Sequence, residues 1–416
     1  MLLNRFILRQ VIFHLADRFQ IRNQEFFFLS FIRNKYTDLL VQSYMSHIVQ
    51  AITVPWYNAC ADYAVQLARG IQNLGHRVTV AGGHGSPVIN KAREFGLEVY
   101  DYSSPASVNP VGIYFLIKKY RRFAIENDVS VVNVHHGRDH LAWAMALRGT
   151  GIQLVRTSGN QVPPNRHFGS RYLIENCATG IIASCRTVQK YYIDTFGIKP
   201  EDIPVVNGGV DSVNFTPEHR RNILRNSMGI PENAFVFGIV GRYSPVKGHR
   251  YFFAAAEKIA RAYPEVWFVV AGWEAQLDED NMRVMAADAG ILDRTRFTGR
   301  QNDIRDLLGA LDAGIIASVG SETICRIAME YMAMGIPVIG ADTNVIPEII
   351  RNRRNGYIVS QADPHAMEHA MELLIASPER LREFGKTGRE IIEEEYSLEK
   401  FAFKTLEAYR KMKVDV

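Results

Sequence analysis

The chain has no uninterrupted apolar run near the roughly 18 residues that a membrane-spanning helix needs. Its opening stretch is broken by Arg9, His14, Asp17 and Arg18 and lacks an apolar core followed by a small-residue cleavage site. A cytoplasmic location is therefore expected, with peripheral contact with the inner membrane left open. Cysteine is scarce: Cys60, Cys177, Cys185 and Cys325 form no C-x-x-C pair and no Cys/His cluster at zinc spacing. Four free thiols are expected, and no metal site. Concentrated basic runs are missing too, so no nucleic-acid partner is expected. The net charge of +4 over 416 residues suits an anionic ligand or an acidic membrane face without deciding between them. Neither a G-x-x-x-x-G-K-[ST] loop nor a strand-borne G-x-G-x-x-G occurs, which excludes the usual P-loop and dinucleotide signatures.

What is present is an alternation of short apolar strands and helical stretches. From His47-Ile-Val-Gln-Ala-Ile-Thr-Val54 onward, strands are expected at 77–81, 129–134, 153–157, 181–183 and 204–206. Helices are expected at about 59–74, 114–127 and 140–148, the first closed by Gly75. The pattern pauses at Asn207-Gly-Gly-Val-Asp211 and Thr216-Pro217, as a hinge would. It restarts with strands at 235–240, 266–271, 296–298, 313–317 and 337–340. A last helix over 398–413 carries Phe401, Leu406 and Tyr409 as an apolar seam. Continuous apolar strands between helices predict parallel sheets covered on both faces, and two such halves predict a ligand cleft between them. The reading is an N-terminal extension over 1–44, a first domain over 45–212, a second over 213–395, and a terminal helix over 396–416 crossing back to the first domain. For the aromatic-rich extension three readings stand. Met45 is the true start; or Phe26–Phe28, Leu29 and Phe31 with Arg33 and Lys35 form a helix on a membrane surface; or a helix packs on the core.

Two constellations carry chemistry. Gly241-Arg-Tyr-Ser-Pro-Val-Lys-Gly248 follows a strand and opens a helix, the arrangement in which backbone N–H groups and the helix dipole meet a phosphate. Arg242 and Lys247 add fixed positive charge. A solvated turn with two surface cations is the plainer alternative. In Ser321-Glu-Thr-Ile-Cys-Arg-Ile-Ala-Met-Glu330, Glu322 sits at or before a helix start and Glu330 about two turns inside. At 1.5 Å per residue the offset is roughly 12 Å, about the reach from a nucleotide's ribose to a sugar beyond its diphosphate. An N-terminal acidic cap and a surface glutamate would be the plainer account, but Glu330 has apolar neighbours on every side. Asp278-Glu-Asp280 offers a superficial metal pair, and helix capping is the better reading.

Together the two constellations resemble the retaining, two-domain glycosyltransferases of glycosyltransferase family 4, which includes sucrose synthase and mannosyltransferases. The family pattern is G-R-x4-K-G, then E-x7-E and a G-x-P-V strand. Gly241, Arg242, Lys247, Gly248, Glu322, Glu330, Gly335, Pro337 and Val338 match it. Phe297-Thr-Gly299 is similar to the strand end that borders the base, and Gly209-Val-Asp211 to the hinge signature. The resemblance implies a GT-B fold, an α/β class with two Rossmann-like β/α/β domains facing a central cleft. It implies a nucleotide-sugar donor (a UDP- or GDP-sugar), a glycan or lipid-linked acceptor, and no cofactor. In that reading Arg242 and Lys247 bind the diphosphate, Glu330 the ribose, and Glu322, Thr323 and Ile324 the transferred sugar. His135, or its neighbour His136, faces that sugar from the first domain. The family's Gly-Gly-Ala-Glu first-domain loop is here Ala59-Cys60-Ala61-Asp62, and its Gly-Phe-Gly after the first glutamate is Thr323-Ile324-Cys325. The second change bears on which sugar is carried. A basic helix with Lys118, Lys119, Arg121 and Arg122 could serve to dock a lipid-linked acceptor at the membrane, with a solvated charged helix as the default reading. The alternatives are a sugar-nucleotide epimerase on the same fold and a non-catalytic subunit. The setting expected is lipopolysaccharide or other surface-polysaccharide biosynthesis.

Overall fold

A computed structural model of the chain describes residues 45–102, 110–219, 223–301 and 303–416. The N-terminal extension over 1–44, and with it all three readings of that segment, lies outside the described residues.

The first half builds a six-stranded parallel sheet in the order β3-β2-β1-β4-β5-β6. Its strands are β1 (His47–Ala51), β2 (Arg77–Gly83), β3 (Glu98–Tyr102), β4 (Val129–Val134), β5 (Gln153–Ser158) and β6 (Gly180–Ala183). The helices between them are α1 (Ala59–Asn73), α2 (Pro87–Glu94), α3 (Pro110–Glu126), α4 (Gly137–Leu147) and, after β6, α5 (Arg186–Phe196). Side chains alternate across each strand. Ile48, Val80, Val131 and Val155 enter one apolar core with α1. Val49, Ala51, Val132, Val134 and Leu154 enter another with α3 and α4. Both faces are buried, which is why these strands read as continuous apolar runs.

The second half repeats the plan. β7 (Phe235–Val240), α6 (His249–Ala262), β8 (Val266–Ala271), α7 (Glu279–Asp288), β9 (Thr295–Gly299), β10 (Ala313–Ile316), α8 (Arg326–Ala333), β11 (Val338–Ala341) and β12 (Gly356–Val359) follow in turn. The sheet order is β12-β11-β10-β7-β8-β9, again parallel throughout. Phe237, Ile239, Phe268 and Val270 pack on the α6 side. Helices α9 (Pro364–Ile375), α10 (Pro378–Ile391) and α11 (Leu398–Lys411) complete the chain. α11 packs on α1 of the first half. Phe401 meets Tyr63 edge-on with centroids 4.6 Å apart, and a Cβ at Gly70 would lie 2.4 Å from the Leu398 carbonyl oxygen. Glycine is what lets the two helices approach so closely.

Several elements differ from the expectation. The run 204–206 is not a strand; it makes one bridge, Val205 to Ala183, because Pro204 has no N–H to extend a ladder. Strands β3 and β12 lie at the sheet edges, where the apolar signal is weak, and the periodicity does not reveal them. The Asn207–Asp211 segment is packed: Val210 donates its N–H to Tyr396 O at 2.8 Å, and a Cβ on Gly209 would strike Phe401. Asp278 caps α7, accepting from Asn281 N at 2.8 Å. All four cysteines are free. No described helix is long and apolar enough to cross a membrane.

Candidate functional site

In a doubly wound sheet the crevice lies at the carboxyl ends of the strands, where the strand order reverses. In the first half that point is between β1 and β4, in the second between β7 and β10. His135 follows β4 directly. Gly241 follows β7, and Ser318 to Glu322 follow β10. The topology thus brings residues from three separate stretches to the two reversal points, and a small pocket between the halves is lined by Cys60, Tyr63, His135, Thr157, Gly159, Ser184 and Ile324.

The loop after β7 holds the cations. Gly241 donates to Ala271 O, and Pro245–Lys247 make one turn of 3-10 helix that ends at Gly248. Gly248 is left-handed, with φ +72°, and a Cβ there would stand 1.9 Å from Ala317 O. Only glycine fits both demands. Lys247 Nζ forms an ion pair with Glu322 Oε1, and the Ser318 hydroxyl donates to the same oxygen at 2.6 Å. Arg242 is half-buried and makes no hydrogen bond or ion pair among the described residues. Gly299 ends β9 with φ +60° and accepts from Gly272 N at 3.1 Å.

Glu322 stands four residues ahead of α8, in a loop rather than on the helix, so the helical-rise estimate of its distance from Glu330 does not apply. That loop carries two non-glycine residues in the left-handed region, Ser321 at φ +61° and Cys325 at φ +47°. Such backbone costs on the order of 1 kcal/mol per residue and is held by its surroundings. Here they come from the first half. The Thr323 hydroxyl donates to Gly159 O at 2.8 Å, the Ser184 hydroxyl to Thr323 O at 2.8 Å, and Gln161 Nε2 to Ser321 O at 3.0 Å. Ile324 is buried in the same contact.

Glu330 lies inside α8 and is buried. Its Oε1 pairs with Arg326 Nε at 3.0 Å, while Oε2 is buried with no hydrogen-bond partner among the described residues. Burial holds this carboxyl above its ordinary value in spite of Arg326. Arg326 also reaches Asp62 Oδ1 at 3.4 Å on α1. Glu330, and more weakly burial in opposition and Asp62 in support, hold the guanidinium above its usual range. Arg326 was invisible to motif reading, although an arginine one helical turn before a buried glutamate is a signal in itself.

On the first half, Ala59 and Cys60 are the opening residues of α1 rather than a loop. Asn58 caps that helix, accepting from Ala61 N at 3.0 Å. His135 is buried, and burial with nearby Arg156 pushes its imidazole down to about 3. His136 sits at the N-cap of α4, also held low by burial, with Nδ1 unpartnered among the described residues. Lys118 and Lys119 are exposed on α3, whereas Arg122 pairs with Glu126. Arg121 does not belong to a free basic face: it donates to Ala146 O and Arg148 O at the end of α4.

Two family models match successive stretches of this chain. Glyco_transf_4, glycosyltransferase family 4, matches residues 61–213, and glycosyl transferases group 1 matches residues 220–391. The chain belongs to the family 4 glycosyltransferases. D-inositol 3-phosphate glycosyltransferase 2 of Catenulispora acidiphila is 28% identical over 241 residues, covering 56% of this chain and 56% of that protein. The chain thus spans little more than half the length of this relative. The Escherichia coli UDP-Gal:alpha-D-GlcNAc-diphosphoundecaprenol alpha-1,3-galactosyltransferase is 26% identical, covering 63% of this chain and 68% of its own. Among solved structures, a glycosyltransferase from Rickettsia africae superposes with a TM-score of 0.80 at 18% identity, covering 89% of this chain and 100% of its own. Anabaena HepE in complex with UDP-glucose gives 0.74 at 18%, covering 88% and 99%. These two show the GT-B fold. This member of the family therefore has two Rossmann-like domains, and its matched motifs lie at the carboxyl ends of their strands.

Proposed function

We propose that the protein is a retaining, metal-independent glycosyltransferase. It takes a sugar from a UDP- or GDP-sugar to a glycan or lipid-linked acceptor in surface-polysaccharide or lipopolysaccharide assembly at the cytoplasmic membrane face. The observation that carries this is the buried Glu330 carboxylate. One oxygen is fixed by Arg326 and the other has no partner among the described residues, as a group that receives ribose hydroxyls requires. Lys247 and Arg242 lie on the same crevice and would neutralise the departing diphosphate, the service a metal performs elsewhere. Glu322, Thr323, Ile324 and His135 would surround the transferred sugar. As the glycosidic C–O bond to the diphosphate breaks, the acceptor hydroxyl attacks the same face of the ring and loses its proton to the leaving oxygen. Among the described residues no pair of carboxylates lines the pocket as in a double-displacement glycosidase. The contacts of Thr323 with Gly159 and Ser184 describe a closed cleft that would keep water from the donor. Exposed Tyr114, Phe115, Lys118 and Lys119 on α3 suit an acceptor held at an anionic membrane.

The test is incubation with UDP- and GDP-sugars in EDTA, following the released nucleoside diphosphate and the anomeric configuration of any product. Release that survives EDTA and falls at least tenfold in both Glu330→Ala and Lys247→Ala supports the reading. Formation of a 2-epimer with no acceptor would favour an epimerase. No binding of any nucleotide sugar would sink both and leave the non-catalytic subunit.

A further inference from the structure

The guanidinium beside Glu330 is shared between two carboxylates that belong to opposite halves of the molecule. Arg326 Nε stands 3.0 Å from Glu330 Oε1 on α8, and its Nη1 stands 3.4 Å from Asp62 Oδ1 on α1. Both carboxylates are buried. Asp62 has a frame of its own. It lies in the first turn of α1, where its Oδ1 accepts from the Tyr57 hydroxyl at 3.0 Å and from Gln66 Nε2 at 3.4 Å. Glu330 has no such frame. Among the described residues Arg326 is its one ion-pair partner, and Oε2 has no partner at all. A guanidinium left with a single carboxylate tends to take both oxygens, because its parallel N–H groups match their spacing. Here the pairing with Glu330 is single, and the other end of the fork is turned to Asp62.

We propose that Asp62 is a positioning residue: by holding the far end of the Arg326 guanidinium from the first half, it keeps Arg326 from closing on both oxygens of Glu330 and leaves Oε2 open to a ribose hydroxyl of the donor. This rests on the reading of Glu330 as the ribose carboxylate and extends it to a residue on the opposite half. The charge count agrees with a ligand that donates hydrogen bonds, since two buried carboxylates share one cation and acceptor capacity is in excess. The arrangement also ties the ribose site to the meeting of the halves. Opening of the cleft withdraws Asp62, and the fork is then free to fill the ribose site with the protein's own arginine. Asparagine at position 62 is nearly isosteric and keeps an oxygen for Tyr57 and Gln66, but it has no charge with which to hold the guanidinium.

The test compares UDP, or GDP if that is the nucleotide bound, with its 2′-deoxy and 3′-deoxy analogues by calorimetry on the full chain. In the wild type, loss of the contacting hydroxyl should weaken binding about tenfold, as for other hydrogen bonds to a charged group. In Asp62→Asn the intact nucleotide should bind as weakly as that analogue, so the selectivity disappears. Arg326→Gln removes the competing fork, and in that background Asp62→Asn should cost nothing further. A merely structural role would weaken the nucleotide and its analogues alike. Intact selectivity in Asp62→Asn, or a loss that persists beside Arg326→Gln, overturns the proposal. A second measurement needs no ligand: titration of the Glu330 carboxyl by carbon NMR of protein labelled with 13C-glutamate, the signal assigned by its loss in Glu330→Gln. Burial holds this carboxyl above its ordinary value, with Arg326 lowering it and Asp62 raising it. Asp62→Asn should lower it, and by more than the same change does beside Arg326→Gln, where only the charge of Asp62 is lost. An equal shift in both backgrounds, or a rise, overturns the proposal. If the wild type binds neither UDP nor GDP, the proposed function falls, and the carboxyl titration still decides what Asp62 does to Arg326.

Discussion

Replacing Arg326 by alanine would leave Glu330 buried with no cation within ion-pair distance among the described residues. Two routes bound the cost. Keeping the unpaired charge buried costs about 3–5 kcal/mol. Taking up a proton instead costs roughly 1.4 kcal/mol for each pH unit above the ordinary carboxylate value near 4.3, so about 3–4 kcal/mol at pH 7 and about 1 at pH 5. The cheaper route sets the ceiling. The Arg326 side chain is 37% exposed, so water already screens the pair, and about 2 kcal/mol is the expected loss at pH 7. The pH dependence has a definite sign. Burial raises the Glu330 carboxyl in the folded state. The fold therefore holds a proton that the unfolded chain has released, and stability falls as pH rises above the unfolded value. Without Arg326 the folded value climbs further and the slope steepens. The gap between wild type and variant should be small at pH 5 and largest at pH 7. Urea unfolding at both pH values, read from the fluorescence of Trp267 and Trp273 in the second half, measures it. Arg326→Ala/Glu330→Gln should recover most of the loss at pH 7. An equal loss at both pH values, or no recovery in the double variant, would refute the account.

Gly248→Ala should destabilise the second half by at least about 2 kcal/mol in thermal unfolding, because the left-handed φ and the 1.9 Å approach to Ala317 O act together. Lys247→Ala should weaken nucleotide-sugar binding at least tenfold in calorimetry, since it removes a charge-assisted contact and leaves the buried Glu322 carboxylate without its cation. Thr323→Val deletes the 2.8 Å bond to Gly159 O and should shift the domains toward an open arrangement, seen as a larger radius of gyration in small-angle scattering. An unchanged radius would mean that the remaining contacts between the halves, such as Ser184 with Thr323 O, Gln161 with Ser321 O and Arg326 with Asp62, suffice to hold them together.

The sequence by itself determined the class of fold and the places where motifs fall. Runs such as 129–134, 235–240 and 266–271 are apolar on both faces, and only a parallel sheet covered twice buries such strands. The glycines at 241 and 248 and the glutamates at 322 and 330 were legible because loop geometry and phosphate chemistry demand particular residue types at particular spacings. What only the tertiary structure decided was which groups meet across chain separations of tens to hundreds of residues. Arg326 reaches Asp62, Thr323 reaches Gly159, and Gln50 reaches His135, each pair joined by the topology of two sheets rather than by any local period. The edge strands β3 and β12 escaped notice for a related reason: they are defined by their ladders, and ladder partners are not written in a strand's own composition. The burial of His135 and, among the described residues, the unpartnered oxygen of Glu330 are likewise properties of neighbours, set once the chain has folded.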